Sequence, residues 1–485
     1  MMMLMMQGWW CSSSINYRQA ADFKTEHIDV SYDETPLKTK LYAFVATHWQ
    51  IASVLLGVFL VATSTGVYTN WDARIEFEAA SNVVTHGFPL VTTGLMINQP
   101  PLGFYMDAPV FHLAGLSYQN GVGIVTAFGL GCAVLVYALG LLLYGKNTGL
   151  VAAALFSVVP WHVYLSRIFL IDNQYLFFSL LALIVGVIAL RRQSDKLLLV
   201  SGVFFAVAFL TKLFAVFILV PLVLMAFFYR RDGKFQLTAK KTLLFLAPTI
   251  VTQAIWYGVI ANQNFFAVYL SSDFTHPELV ADPALAFLPI VLVKSIGWFL
   301  LFAAVLALAL PLFFRKMFAG RTWLDTVCVV TIVAVAAANL LLVFGFHLKV
   351  PYISVVKYNY VALPFYCLLA ASLVDKGARL LAGVKLRRGR ELATSVVAAV
   401  GLFLLVAALV ESVIFLVEWE GFVSFGVDSV VYYGFEVYSP VPDYFAELHY
   451  LGLAVILASL ALPLLFNTLR VHRNVPPRGS QENGD

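Results

Sequence analysis

The chain has 485 residues, 61% of them hydrophobic and only 12% charged, with a formal net charge of +4 and a mean hydropathy of +0.85. A soluble domain carries roughly 25% charged residues, so lipid replaces water over most of this surface and the fold class is an all-α, polytopic membrane bundle. No clustered basic face marks a nucleic-acid partner. Cys11, Cys132, Cys328 and Cys367 have neither the spacing of a metal site nor that of a disulfide framework, and read as small buried apolar side chains.

Residues 1–40 begin apolar but short, with no basic segment before the apolar one, and then turn polar. They read as a disordered cytoplasmic tail rather than a cleaved signal. A helix needs about 20 apolar residues to cross ~30 Å of hydrocarbon. Runs approaching that length are Ile51–Tyr68, Gly121–Tyr144, Thr148–Tyr164, Tyr175–Leu190, Leu197–Leu210 and Leu213–Tyr229. They continue with Thr242–Ile260, Phe287–Phe314, Trp323–Phe346, Tyr358–Val374, Ala393–Val417 and Leu451–Phe466. They predict about twelve spans within a membrane domain of residues 41–468, followed by a cytoplasmic tail of residues 469–485.

Charge predicts the orientation. With the N-terminus inside, only Arg74, Arg167, Lys212, Lys294, Lys349 and Lys357 of the 31 basic residues fall outside, a positive-inside bias that puts both termini in the cytoplasm. The outer side then carries the long loops: 69–120, 262–286 and 418–450. Long loops on one face point to function there.

The first outer loop holds Asp72, Glu76 and Glu78 directly after the first span. If Trp71 to Val84 is helical, Asp72 and Glu76 share a face, and acids in a first helical turn also favour the macrodipole. Pro100-Pro101 predicts an extended backbone, Phe104-Tyr105 lies at headgroup level, and Asp107 is positioned to cap the next helix. Further on, Arg167 and Asp172 lie in a tight outer turn, either as a stapling ion pair or as functional groups. Lys212 ends a short apolar run and either snorkels to the headgroups or holds an anion or a carboxylate. Lys349 and Lys357 flank Pro351 and Tyr352 in another outer turn, where interfacial anchoring is the simplest role.

Four motifs stand in order on the predicted outer side: Asp72 with Glu78, Gln99-Pro100-Pro101-Leu102-Gly103-Phe104-Tyr105, Arg167 to Asp172, and Leu210-Thr211-Lys212. Together they resemble the GT-C superfamily of membrane glycosyltransferases. The branch they are most similar to holds the dolichyl-phosphate-mannose protein mannosyltransferases and the lipid A aminoarabinose transferases. The resemblance covers about the first 230 residues; the segment from Tyr358 to Pro364 is a weaker echo. Ala73 stands where relatives carry a second acid, and Gln99 where they often carry a lysine. The Trp-Trp-Asp-Tyr-Gly signature of oligosaccharyltransferases is absent.

The resemblance implies a GT-C-type bundle with juxtamembrane helices in the first outer loop. It also implies an inverting hexosyl- or mannosyltransferase, using a polyprenyl (dolichyl or undecaprenyl) phosphate sugar as donor and a lipid, glycan or protein hydroxyl as acceptor. On that basis Asp72 is the general base and Asp172 a second catalytic-site residue that orients one of the cations or the acceptor. Arg167, Lys212, Lys349 and Lys357 are candidates for the donor phosphate, and Glu78, Gln99 and Tyr105 for support of the substrate and the loop. Tyr105 and the Tyr432-Tyr433 pair either stack on sugar faces or anchor the chain at the membrane interface. His86, His112, His162, His276 and His347 are scattered, so no cofactor or catalytic metal is expected, although Asp72 with Asp172 could ligate a divalent ion. The implied setting is a prokaryotic plasma membrane with the site on its outer face.

A twelve-span secondary transporter or flippase is the competing class. Transporters bind at the midplane between repeated halves; here the charges gather at one rim and no half-to-half echo shows.

Overall fold

The computed structural model describes residues 49–51, 53–61, 66–92, 94, 96–97, 99–231, 236, 238–260, 296–314, 322–341, 359–382, 388–417, 436–439 and 448–473. The expectations for residues 1–40, the loop 262–286, Lys294, Lys349, Lys357 and the Tyr432-Tyr433 pair lie outside these residues.

The described chain is helical apart from one two-stranded ribbon. A first helix, α1 (Trp49–Val61), precedes strand β1 (Val67–Thr69). The first apolar run therefore leaves helical geometry before Tyr68, where the sequence had placed its end. Then come α2 (Trp71–His86) and α3 (Leu102–Ala114) in the first loop. They lead to α4 (Tyr118–Leu143), α5 (Lys146–Val158), α6 (Pro160–Ser166), α7 (Asp172–Arg192) and α8 (Asp195–Thr211). A 3-10 turn at Leu213–Ile218 runs into α9 (Leu219–Arg231), and α10 (Ala239–Ile255) ends in a π turn. The later helices are α11 (Trp298–Phe313), α12 (Thr322–Leu340), α13 (Leu363–Ala382), α14 (Arg388–Val417) and α15 (Leu448–Arg473). The last continues into residues assigned from the sequence to the C-terminal tail.

Among the described residues, Tyr118–Leu143, Asp172–Arg192, Leu213–Arg231 and Val396–Phe415 are long and apolar enough to cross a membrane, and α5 with α6, apolar together but bent by 64°, is either a broken span or a re-entrant pair. Trp49–Val61, Trp298–Phe313, Thr322–Ala338 and Tyr450–Ala461 are shorter apolar helices. The bend has a local cause. Pro160 lacks the N–H that would continue α5, and Val159 before it takes φ −57°, ψ 127°, outside helical space. Many large apolar side chains face outward, among them Phe313, Val305, Val223, Leu243 and Phe403. Inside, polar residues such as Asn173, Gln174 and Ser201 are fully buried. That distribution suits lipid surroundings, where the polar groups gather in the interior.

Helices α1 and α15 cross at a glycine pair. A Cβ on Gly57 would lie 2.6 Å from the Gly452 carbonyl oxygen, so the two backbones approach as only small residues allow. Strand β2 (Glu436–Ser439) pairs antiparallel with β1, Tyr68 opposite Val437 and Thr69 opposite Glu436. The last long loop is thereby stitched to the start of the first, beside Asp72.

Candidate active site

Asn70 builds the entry to α2. Its backbone is extended, and its side-chain oxygen accepts the Ala73 N–H at 2.8 Å, an N-cap that starts the helix two residues before Asp72. The half-buried Asp72 then sits in the first turn, where the helix dipole favours a carboxylate.

The turn at 167–172 meets this entry directly. Tyr68 donates its N–H to the Arg167 carbonyl at 2.9 Å, and Tyr68 and Ile168 form a parallel bridge. Arg167 donates Nε to the Gly66 carbonyl at 2.7 Å. Burial lowers the Arg167 pKa, and the neighbouring Tyr68 opposes that shift. Arg167 therefore does not staple its own turn to Asp172. Asp172 opens α7, and its carboxylate points into the bundle, where it meets Lys212 from the end of α8 at 2.7 Å. Both side chains are buried, with 7% of Lys212 and 1% of Asp172 exposed. The Lys212 ammonium also lies 5.9 Å from the Tyr175 ring centroid. Asp172 Oδ1 is buried and has no hydrogen-bond partner among the described residues.

A second buried ion pair makes a useful contrast. Lys376 on α13 meets Asp325 on α12 at 2.9 Å, and also donates to the Ala307 carbonyl at 2.6 Å and to Ser372 Oγ at 3.0 Å. The other Asp325 oxygen accepts from Tyr144 at 3.2 Å. That pair uses all three ammonium donors and both carboxylate oxygens. Among the described residues, the Asp172–Lys212 pair leaves donor and acceptor capacity over.

Glu76, one helical turn after Asp72, is fully buried. Its Oε2 accepts the Ile171 N–H at 2.9 Å and its Oε1 accepts Gln99 Nε2 at 3.1 Å. Gln99 is thus directed at Glu76, and its own Oε1 is buried without a partner. Pro101 takes φ −87°, ψ −17° and starts α3 instead of extending the chain; its ring fixes φ near the helical value and leaves ψ free. Asp107 lies within α3, not at its cap, fully buried against Gln174 of α7, whose Nε2 donates to Asp107 Oδ1. Burial pushes the Asp107 carboxyl well above the usual carboxylate range; the Gln174 hydrogen bond opposes this and the charge of Glu76 adds to it. Gly103 lets α3 lie this close to α7: a Cβ there would sit 2.8 Å from Ile171 Cγ2 and 2.9 Å from Gln174 Oε1.

Beside Asp172, Asn173 anchors the start of α7. Its Nδ2 donates to the Val125 and Leu165 carbonyls and to Ser166 Oγ. Its Oδ1 accepts from Tyr360, whose hydroxyl in turn accepts from His162 Nδ1 at 2.6 Å. Sequence spacing gives no hint that His162, Asn173 and Tyr360 meet, because they come from three separate segments of the chain.

Of the other candidates, Glu78 accepts from Thr92 at 2.7 Å within the loop, and Tyr105 donates to the Gly87 carbonyl at 2.8 Å and packs edge-on to Trp256. Lys349 and Lys357 lie outside the described residues. Among those residues, no three His, Cys, Asp or Glu side chains come together as a metal site. A largely apolar groove of 560 Å³ between α3, α4 and α7, lined by Val110, Asn120, Gly123 and Phe177, includes none of the candidate residues.

Comparison with known proteins adds a local relationship. The family model of the dolichyl-phosphate-mannose-protein mannosyltransferases matches residues 98–256, which hold the Pro-Pro motif, the 167–172 turn and Lys212. Among solved structures, ArnT from Cupriavidus metallidurans bound to undecaprenyl phosphate is similar with a TM-score of 0.49 and 15% identity, over 87% of this chain and 78% of that one. The archaeal oligosaccharyltransferase AglB from Archaeoglobus fulgidus, in complex with an inhibitory peptide and a dolichol-phosphate, has a TM-score of 0.48 and 12% identity. That likeness covers 76% of this chain, which spans 56% of the length of AglB. No curated protein matches the sequence significantly.

Proposed function

We propose that this chain, related over residues 98–256 to the dolichyl-phosphate-mannose-protein mannosyltransferases, is a membrane glycosyltransferase that moves a hexosyl group from a polyprenyl-phosphate donor to a hydroxyl acceptor. The observation that carries the reading is the buried Asp172–Lys212 pair with its unused bonding capacity, joined through the 167–172 turn to the loop that bears Asp72. In this reading Asp72 takes the acceptor proton as the hydroxyl attacks the anomeric carbon from the side opposite the phosphate, and the configuration inverts. The bond from the anomeric carbon to the phosphate oxygen breaks, and its electron pair leaves on the phosphate. Lys212 and Arg167 face the charge that develops there, and Asp172 holds Lys212 in place. The transition state has oxocarbenium character, as in glycoside hydrolysis.

The site lies on the outer face of a prokaryotic plasma membrane, with both termini cytoplasmic, as the charge distribution favours. Lys349 and Lys357 are further phosphate contacts in this reading, Glu78 and Tyr105 hold the first loop, and no metal takes part. A positioned general base contributes about 10²–10⁴-fold. Replacement of Asp72 by Asn is therefore expected to lower transfer from dolichyl-phosphate mannose by that factor while the purified protein keeps its melting temperature. Undiminished transfer would remove Asp72 from the role of base.

A further inference from the structure

Glu76 is a buried acid that the transfer reaction does not call on. It lies on the same face of α2 as Asp72, four residues on, yet it is fully enclosed and cannot reach an acceptor. Its two oxygens are divided between two other segments: the Ile171 N–H at 2.9 Å and Gln99 Nε2 at 3.1 Å. Ile171 is the residue before α7, at the N-cap position, and its side chain has no atom that can cap the helix. A helix start without a capping side chain leaves backbone N–H groups to be satisfied from elsewhere. Here the acceptor arrives from a different helix, ninety-five positions earlier in the sequence. It is a carboxylate, the group that the positive end of a helix dipole favours.

We infer that Glu76 is a positioning residue: its carboxylate caps α7 from α2 and so fixes where Asp172 and Lys212 stand relative to Asp72. One side chain thereby spans the helix of Asp72, the Gln99–Pro101 segment and the residue next to Asp172. Because Gln99 donates an amide N–H to Glu76 and has its own oxygen buried, it belongs to this tie. The inference rests on the transfer reading given above, and its test is built to separate the two.

The test uses the full chain, purified in detergent, with dolichyl-phosphate mannose as the probe donor and a hydroxyl-bearing peptide as acceptor. Misplacement of reacting groups by about 1 Å costs on the order of 10² in rate. Glu76→Ala is therefore expected to lower kcat by about that factor, with the donor KM held within about threefold. Glu76→Gln retains an oxygen for the Ile171 N–H, and its amide can meet Gln99 Oε1 once the Gln99 amide turns over. It is expected to recover kcat to within about tenfold of the parent.

Hydrogen exchange over residues 167–176 supplies a readout that needs no turnover: faster in Glu76→Ala, near the parent rate in Glu76→Gln. Parent-like exchange and kcat in Glu76→Ala would overturn the inference. So would a Glu76→Gln variant with parent-like exchange but no recovery of kcat, since the carboxylate would then act by charge and not by holding the turn. Should the parent itself transfer nothing from the probe, the transfer reading falls, and the exchange arm still decides whether Glu76 caps α7.

Discussion

The two buried lysine–aspartate pairs allow a controlled perturbation. Removing one partner of a buried pair leaves an uncompensated charge and costs about 3–5 kcal/mol, whereas replacing both by neutral groups of similar volume is often close to neutral. Lys212→Met is therefore expected to destabilise the chain by about that amount, as the Asp172 carboxylate at 2.7 Å loses the only hydrogen-bond donor it has among the described residues. Asp172→Asn combined with Lys212→Met should restore most of the melting temperature. If the pair orients a cation toward a leaving phosphate, transfer should nevertheless stay down by about 10²–10³, the usual cost of losing one preorganised electrostatic contact. Asp325→Asn with Lys376→Met is the matched control, because that pair is fully bonded by its own neighbours. There the single change should lower melting by a similar amount, and the double change should recover both melting and transfer. Thermal melting of purified protein and initial rates with dolichyl-phosphate mannose measure the two quantities separately. A doubly neutralised 172/212 variant that transfers within a few-fold of the parent would refute the argument.

Asp107 gives a pH prediction. Its carboxyl holds a proton to higher pH in the folded chain than the ordinary 3.8, so the folded state binds more protons across the window above that value, and stability falls as pH rises through it. Asp107→Asn keeps an acceptor for Gln174 without the charge. Its melting temperature should therefore depend less on pH between 4 and the raised value, and identical slopes for variant and parent would contradict the assignment. Tyr360→Phe removes the hydroxyl shared by His162 and Asn173; leaving those buried groups unpaired should cost about 1–3 kcal/mol, measured by melting. Gly103→Ala puts a methyl 2.8 Å from Ile171 Cγ2 and 2.9 Å from Gln174 Oε1, so the side chains at the start of α7 must shift. It should lower transfer and speed hydrogen exchange at the start of α7.

The fold was largely legible because hydrocarbon imposes one rule, that a spanning segment be apolar and helical. The apolar runs near 121–144, 175–190 and 213–229 coincide with Tyr118–Leu143, Asp172–Arg192 and Leu213–Arg231. Misreadings fall where apolar character and helical geometry part company. Val67 and Tyr68 close the first apolar run, yet they form a strand, because Glu436–Ser439 comes from far along the chain to pair with them. No local pattern could announce that partner. The ring of Pro101 suits an extended backbone, but a proline also suits the start of a helix, and which outcome prevails depends on the ψ angle that the ring leaves free.

The polar residues of the site were easier to find than to sort. In a chain this apolar, acids in the first outer loop and the 167–172 turn draw notice, so Asp72, Glu76, Glu78, Asp107 and Asp172 all stand out. Their spacing cannot tell which of them faces the ligand, because that depends on what the neighbouring helix presents. Glu78, two residues from Glu76, meets Thr92 in the same loop, while Glu76 meets Ile171 and Gln99 across the fold. The alternation follows from helix geometry: residues two apart point to nearly opposite sides, so on a helix lying against the bundle one acid is enclosed and the other stays with its own loop. Asp72, a full turn before Glu76, shares the inward side but lies at the helix mouth, where the side chain is only half-covered. Of these three acids, it combines an inward direction with access from outside, as a group that must both touch an acceptor and pass on a proton requires.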